Sequence, residues 1–520
     1  MHSHLNRQLA WLGPQPHVLQ GMRRGLEKEA LRMSPDGVIA QTPHPQALGA
    51  ALTHPYITTD YSEALIELIT PAETSIDATL GFMEDLHTFV YRHLDEERLW
   101  LNSMPCMIGL DDSLIPLAQY GTSNIGRLKT LYRHGLGVRY GRKMQTIAGI
   151  HYNLSFPTAF WEAWQKNAGD TRPLQDFIND KYFSLVRNFQ RHSFLLLYLL
   201  GASPAVSACF LSGRQHSLQT LSPGTLYQPY ATSLRMSRLG YQNTVQRDLH
   251  VSYNRLDHYL RDLRHAIHTP YPPFEALGVK VDGEYRQMNA NILQIENEYY
   301  GLIRPKQTTR RGEKPSQALA ERGVEYIEMR CVDLNPYAPT GIDSPTAHFL
   351  EAFALHSLLS TDTPFSPAEY AHLGERQETM VEFGRKPFLP IRVDEEKVEF
   401  HVIADKLLAE MARVAEILDR AHDTDRYSQG VAVQREKLAD PEQTWAARVL
   451  ADIRSHGDSF FDFGKAVAET HRAHFLARPL SPEREALFTQ QAAESLAAQS
   501  ALEAADTQSF DDFLAAYNAA

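Results

Sequence analysis

A chain of 520 residues that is 43% hydrophobic, 22% charged and 10% aromatic has ordinary globular composition, which excludes wholesale disorder, collagen and coiled-coil fibre. Its 51 Lys and Arg stand against 63 Asp and Glu, a formal charge of −12, and that balance excludes a dedicated nucleic-acid binder, which needs clustered cations. At roughly 150 residues per domain the length allows several domains, and a core large enough to need no disulfides.

The opening residues, Met1 to Arg7, contain no apolar run ending at a small-residue cleavage site, so no signal peptide is expected. Cys106, Cys209 and Cys331 form no C-x-x-C pair and no disulfide framework. A reducing compartment, the cytoplasm, is therefore expected.

The first chemically informative segment is Arg23–Arg32. Read as a strand, it puts Glu27 and Glu29 on one face. In Thr58–Ile69, Asp60 lies at the start, and Glu63 and Glu67 share a face whether the segment is helix or strand. Residues 79–97 show helical spacing through Leu80, Met83, Leu86 and Phe89. The string Gly135-Leu-Gly-Val-Arg-Tyr-Gly141 is one residue off the dinucleotide fingerprint and follows no apolar strand, so it is set aside. Ile147–Ser155 alternates cleanly: Ala148, Ile150, Tyr152 and Leu154 face one way, and Gly149, His151, Asn153 and Ser155 the other. Asn153-Leu-Ser155 matches a glycosylation acceptor but lacks a secretory route.

Residues 158–166 and 181–200 read as helices. The uncharged stretch Ser193–Gly213 is interrupted by Gly201 and Pro204, and its longest apolar run falls far short of the about 20 residues a membrane span needs, so a buried helix is expected. Gly and Pro clusters at 201–230 and 268–275 predict loops. Gln287–Asn291 alternates with Gln287, Asn289 and Asn291 on one face. Tyr326–Cys331 sets Tyr326, Glu328 and Arg330 against Ile327, Met329 and Cys331. Beyond residue 350 the pattern turns helical, over 366–381, 403–422, 443–456, 463–477 and 482–504. A last helix, Phe510–Tyr517, follows a Ser509-x-x-Asp512 capping box variant.

A polar strand face usually meets water. Two like charges on one face, as with Glu27 and Glu29, are costly in a cleft unless a cation joins them. If the five polar faces line one concave sheet, the product is a carboxylate-rich cavity. Mg²⁺ suits hard oxygen ligands together with phosphate oxygens, and an Arg there balances charge on a transferring phosphoryl group. The chain lacks G-x-x-x-x-G-K-[ST] and H-E-x-x-H, which excludes P-loop and zincin chemistry.

Several motifs then carry a resemblance. They include Arg24-Gly-Leu-Glu-Lys-Glu29, Leu52-Thr-His54, Ile57-Thr-Thr-Asp60, Glu67-Leu-Ile-Thr-Pro71 and Ala118-Gln-Tyr-Gly-Thr-Ser-Asn124. Leu131-Tyr-Arg133, Met144-Gln-Thr-Ile147, Gly149-Ile-His-Tyr-Asn153 and Tyr230-Ala-Thr-Ser-Leu-Arg235 continue the order. Leu293-Gln-Ile-Glu-Asn-Glu298, Ile303-Arg-Pro-Lys306 and Gly323-Val-Glu-Tyr-Ile-Glu328 complete it. The set resembles the glutamate–cysteine ligases of the proteobacterial type, in register from about residue 8 to 345. Past 350 only Glu503-Ala-Ala-Asp-Thr507 is similar, and the ATP-grasp module of bifunctional members is not expected.

The resemblance implies an α+β fold: a glutamine-synthetase-like curved antiparallel β-sheet funnel with surrounding helices. Residues 1–345 would be the catalytic region. Residues 346–520 would be a mostly helical region packed on it, not an independent domain. The implied enzyme is a cytoplasmic monomer that joins the L-glutamate γ-carboxylate to the amine of L-cysteine. It spends ATP through a γ-glutamyl phosphate, the first step of glutathione biosynthesis. The implied Mg²⁺ set (Mn²⁺ as the alternative) is Glu27, Glu29, Asp60, Glu67, His151 and Glu328. Arg330 is the implied residue that steadies the phosphoryl group. Tyr132, Leu136, Gln145, Ile147, Arg235, Tyr241 and Tyr300 are the implied amino-acid-binding wall, with Arg304 and Lys306 near the nucleotide. Imidazole is a less natural partner for Mg²⁺ than for Mn²⁺, so contact of His151 with phosphate stays open. Two competing readings are a relative that uses another amine and an inactive binding protein. No nucleic-acid or membrane partner is expected.

Overall fold

The computed structural model describes residues 2–105, 107–240, 245, 249–310, 312–393 and 396–519. Its organising element is the strand β1 (Arg23–Met33), an eleven-residue run paired on one side over Arg23–Lys28 and on the other over Glu27–Leu31, so that Glu27 and Lys28 have partners on both sides. The other strands of its sheet are β2 (Ile57–Thr59), β3 (Leu65–Ile69), β4 (Arg98–Trp100) and β5 (Ile150–Ser155). Strands β6 (Ala205–Ser207), β7 (Gln219–Ser222) and β8 (Thr225–Tyr227) form a small sheet of their own, and β9 (Lys280–Val281) and β10 (Glu284–Tyr285) a short hairpin. Strands β11 (Ile303–Lys306) and β12 (Tyr326–Val332) complete the seven-stranded antiparallel sheet, in the order β11-β12-β5-β1-β3-β2 with β4 added to β1.

Pairing fixes which side chains share a face. Glu27 lies opposite His151 and Glu29 opposite Glu67. Glu328 lies between Asn153 and Arg304. The period of two then sends Leu26, Ala30, Ile150, Tyr152, Ile327, Met329 and Cys331 to the other face, where all are buried. The helices α2 (Ile76–Tyr91) and α5 (Leu174–Leu199) pack on the sheet; the helix Ser344–Leu359 and α4 (Thr158–Ala168) pack on α5, and α1 (His2–Leu12) packs on Ser344–Leu359. The helix α3 (Asn124–Tyr140) instead walls the open face. Among the described residues no helix is long and apolar enough to cross a membrane.

The region after 345 is mostly helical, with one strand pair (Pro390–Val393 and Glu396–Glu399), and is bonded into this assembly. Arg24 on β1 forms a two-pronged pair with Glu351, Nε to Oε1 at 2.7 Å and Nη2 to Oε2 at 3.0 Å. The Tyr152 and Tyr427 hydroxyls donate to the same carboxylate.

Several sequence expectations need correction. Gln287–Asn291 is not a strand. Its polar groups bond sideways, with Gln287 Oε1 and the Asn289 carbonyl accepting from Arg139 and Gln287 Nε2 donating to the Phe274 carbonyl. The expected loop 201–230 contains β6 to β8, and 268–275 runs into the helix Pro272–Leu277. Glu63 and Glu67 do not act together. Glu63 accepts from the His44 and Gln119 backbone N–H groups in the turn between β2 and β3. The glycine string 135–141 lies in α3 and its C-terminal cap, where Gly141 takes a positive φ of 85°.

Candidate active site

The open face of the sheet and the inner face of α3 enclose a cavity of about 550 Å³. Glu27, Glu29 and Glu67 rise from β1 and β3, Asp60 from the turn after β2, His151 from β5, and Glu328 and Arg330 from β12. Ligand atoms of Glu27, Glu67 and His151 all lie within 4.8 Å of one another. Glu27 is held at both oxygens, by His151 Nδ1 at 3.0 Å and Asn153 Nδ2 at 2.9 Å. Glu29 accepts the Gly149 N–H at 2.9 Å. A β-carbon at Gly149 would fall on the Arg235 guanidinium, so only glycine lets β5 and that Arg approach so closely.

Cations balance one side of this acidic floor. Arg330 Nη1 is 3.0 Å from Glu328 Oε1, with Lys306 Nζ at 3.6 Å from the same oxygen. Burial works to raise the Glu328 carboxyl, but Arg330, Lys306, His151 and Arg304 outweigh it and hold it well below the usual range. Glu27 also ends below its ordinary value: burial opposes ionisation, and the His151 bond and nearby cations overcome it. Glu67 goes the other way. Burial, then the charges of Glu27, Asp60 and Glu29, push it well above the carboxylate range. Glu29 is pushed up to about 8 by burial and Asp60, against the pull of Arg235 and Arg330. Burial and Arg330 lower His151.

The arrangement suits a hard divalent cation. Glu328 Oε2 is buried and has no hydrogen-bond partner among the described residues, an orphaned lone pair turned into an oxygen-rich floor. The imidazole of His151 leans the same set toward Mn²⁺ as well as Mg²⁺.

The family profile described as glutamate–cysteine ligase matches residues 9–380. A glutamate–cysteine ligase of Alcanivorax borkumensis is 52% identical over 505 residues, covering 96% of each chain. That of Pseudomonas aeruginosa is 48% identical over 517 residues, covering 99% of this chain and 98% of its own.

The chain belongs to the glutamate–cysteine ligase family.

Among solved structures, a glutamate–cysteine ligase of Francisella tularensis in complex with AMP superposes with a TM-score of 0.90 at 34% identity, covering 96% of this chain and 97% of that one. A bifunctional glutathione synthetase from Pasteurella multocida matches with a TM-score of 0.71 at 26% identity, over 93% of this chain and 57% of that one.

Against this glutamate–cysteine ligase fold, the expected site residues divide clearly. Glu27, Glu29, Asp60, Glu67, His151, Glu328, Arg330, Tyr132, Leu136, Gln145 and Tyr300 all line the cavity, as do Arg304 and Lys306. Arg304 is tied to the carbonyls of Asn297 and Tyr299. Ile147 and Arg235 lie behind the lining, fully buried. Arg235 Nη2 donates to the Arg330 carbonyl at 2.9 Å and Nη1 faces Asp333 at 3.5 Å. Tyr241 lies outside the described residues. Sequence reasoning missed Lys129, Arg133, Tyr140 and Glu298 in the lining. Arg133 pairs with Asp60 at 3.6 Å, and the Tyr140 hydroxyl donates to Glu298. A helical spacing of three and four from Tyr132 and Leu136 would have reached three of them.

Proposed function

We propose that this cavity runs the family's ATP-dependent ligation of glutamate to cysteine in two steps on a glutamine-synthetase-like funnel. A carboxylate is a poor acyl donor because oxide is a poor leaving group. In the first step an oxygen of the glutamate γ-carboxylate attacks the γ-phosphorus of ATP, forming the acyl phosphate and releasing ADP. In the second the cysteine amine attacks the acyl carbon, and phosphate leaves with the bonding pair. The chain's own part is to hold the reactants in line and offset charge.

Glu27, Glu29, Asp60, Glu67, His151 and Glu328 would hold Mg²⁺ or Mn²⁺, which when bound neutralises triphosphate charge. Arg330 steadies the transferring phosphoryl group. Tyr132, Leu136, Gln145 and Tyr300 form the amino-acid wall, backed by Ile147 and Arg235, and the family resemblance assigns Tyr241 to the same role. The observation that carries the reading is one sheet face and the turn after β2 gathering five carboxylates beside Arg304, Lys306 and Arg330 in a single cavity. Binding of AMP by the Francisella tularensis relative supports a nucleotide there.

The test is phosphate release measured with each component withheld. The expected result needs ATP, glutamate, divalent metal and cysteine together; equal rates with and without cysteine would overturn the acceptor. An amine panel separates cysteine from other acceptors. The reading extends to a cytoplasmic monomer, which sedimentation of the purified chain checks for oligomeric state.

A further inference from the structure

Strand β12 does not keep step with β5. Glu328 and Met329 face Asn153 and Tyr152, but Val332 faces Ile150, so the three steps from Met329 to Val332 match the two from Tyr152 to Ile150. The extra residue falls at Arg330 and Cys331, opposite His151. Such a bulge bends its strand and re-aims a side chain, and bulges gather beside active sites. This one carries Arg330, whose guanidinium pairs with Glu328 in the cavity.

A bulge interrupts the ladder, and buried main-chain groups there need partners from elsewhere. The Arg330 carbonyl has one in Arg235, whose Nη2 donates to it at 2.9 Å. The same guanidinium occupies the space beside Gly149, one residue before β5. Arg235 therefore stands between β5 and β12 where their register shifts. It faces Asp333 in turn, the first residue past β12, with Nη1 3.5 Å from Asp333 Oδ1 and both side chains fully shielded from water. Asp333 is anchored at both oxygens. Oδ2 accepts the Ala202 N–H at 2.8 Å and the Ser203 hydroxyl at 2.6 Å, and Oδ1 accepts the Ser233 hydroxyl at 3.0 Å. The two segments that supply these donors are themselves bridged, Ser203 to Ser233. Burial leaves the Asp333 carboxyl above its ordinary value, and Arg235 is first among the groups that oppose the rise.

We infer that Asp333 is a positioning residue: through Arg235 it holds the bulge that aims the Arg330 guanidinium at the transferring phosphoryl group. The inference rests on reading Arg330 as the residue that steadies that group. Asp333 lies outside the cavity lining, so it reaches the reaction only through the side chain it holds. A guanidinium suits the relay because its planar fork bonds a carbonyl and faces a carboxylate at once, which the point charge of an ammonium does not. The return is large, since misplacing a reacting or stabilising group by about 1 Å costs about 10² in rate.

A double-mutant cycle on kcat tests this. Asp333→Asn keeps the shape and removes the charge that faces Arg235. It is expected to lower kcat at saturating substrates by about 10–100-fold. In an Arg330→Ala background no guanidinium is left to aim, and the same change should lower kcat by no more than about twofold. Damage that is merely structural would lower kcat by the same factor in both backgrounds, and that result would overturn the inference. An unchanged kcat in Asp333→Asn alone would overturn it too. Ser233→Ala, which removes one donor and leaves the charge, serves if Asp333→Asn does not fold. It should lower kcat about threefold, the order of one neutral hydrogen bond, and again only where Arg330 is present; equal factors in both backgrounds would count against the inference in the same way. Full kcat in Arg330→Ala by itself would instead bring down the reading of Arg330 on which the inference rests.

Discussion

Arg330 and Glu328 meet at 3.0 Å on one buried strand face, and their balance sets what the floor can hold. Arg330 keeps its charge firmly, since Glu328 and other nearby carboxylates outweigh the cost of burial. Removing it should cost little in folding, because Lys306 still faces Glu328. It should cost much in rate: Arg330→Ala is expected to lower kcat by about 10²–10³, the usual loss for one charge-stabilising donor. Comparing kcat with thermal unfolding of the same variant checks both halves. Glu29 and Glu67 give a second prediction. Both carboxyls are raised, Glu29 to about 8, so the metal-free cavity holds protons that a cation must displace. The metal concentration for half-maximal rate should therefore rise as pH falls from about 8 to about 7, by up to tenfold per proton displaced. The linkage to folding has the opposite sense without metal. A raised carboxyl stabilises fully below its unfolded value of 4.5 and loses that contribution as pH rises through about 8. The thermal gain from added Mg²⁺ should thus grow with pH across that window, and a gain independent of pH would remove these carboxylates from the ligand set. Alternation along three strands made these residues legible in the sequence. Tyr517 and Glu298 were not legible, because neither sits on a strand and each reaches the cavity only through tertiary packing.

At the scale of elements, α3 matters most. Ile125, Leu128, Lys129, Tyr132, Arg133, Leu136 and Tyr140 line the cavity at helical spacing. The mix of apolar and charged residues on that face, with three glycines in the helix, hid the helix from a periodicity reading. The helix Ser344–Leu359 was hidden for the opposite reason: it is buried all round, so it has no polar face to set a period. Gln287–Asn291 alternates, but its backbone makes only an isolated bridge, Asn291 to Pro270, and the Asn289 carbonyl accepts from Arg139. The short motif Glu503–Thr507 finds its physical reason in α3. Glu503 Oε1 accepts the Thr122 N–H at 2.8 Å, and Asp506 accepts the Asn124 N–H. Gly121, at a φ of 79°, leaves the space that Glu503 enters. Carboxylates at a helix N-terminus satisfy orphan donors and favour the dipole. Glu503→Ala should destabilise the chain by about 1 kcal/mol, near the cost of losing a cap, and Glu503→Gln by less, since the amide oxygen still accepts. Urea unfolding measures both, and equal stability of all three proteins would reduce Glu503 to a solvated surface group.

Across the whole molecule, a single apolar cluster runs from Leu5 to Phe488 and includes residues on both sides of position 345. We take 1–345 and 346–520 as one cooperative unit for that reason, with Arg24 and Glu351 as its sharpest test. The pair crosses the division, is shielded from water, and fills both carboxylate oxygens with donors from Arg24, Tyr152 and Tyr427. Burial opposes the charge on each partner. The pairing wins on both sides, holding Glu351 below and Arg24 above its ordinary value. Breaking such a pair from one side strands a buried charge, so Glu351→Ala should cost about 3–5 kcal/mol. Replacing both partners, Arg24→Met with Glu351→Leu, should recover much of that loss, since it removes the desolvation cost together with the attraction. In a cooperative unit the Glu351→Ala loss appears as one shifted transition, the same by tryptophan fluorescence and by far-ultraviolet circular dichroism. Two separated transitions would mean that the helical region unfolds by itself, and the pair would then be an interface contact and not part of a shared core.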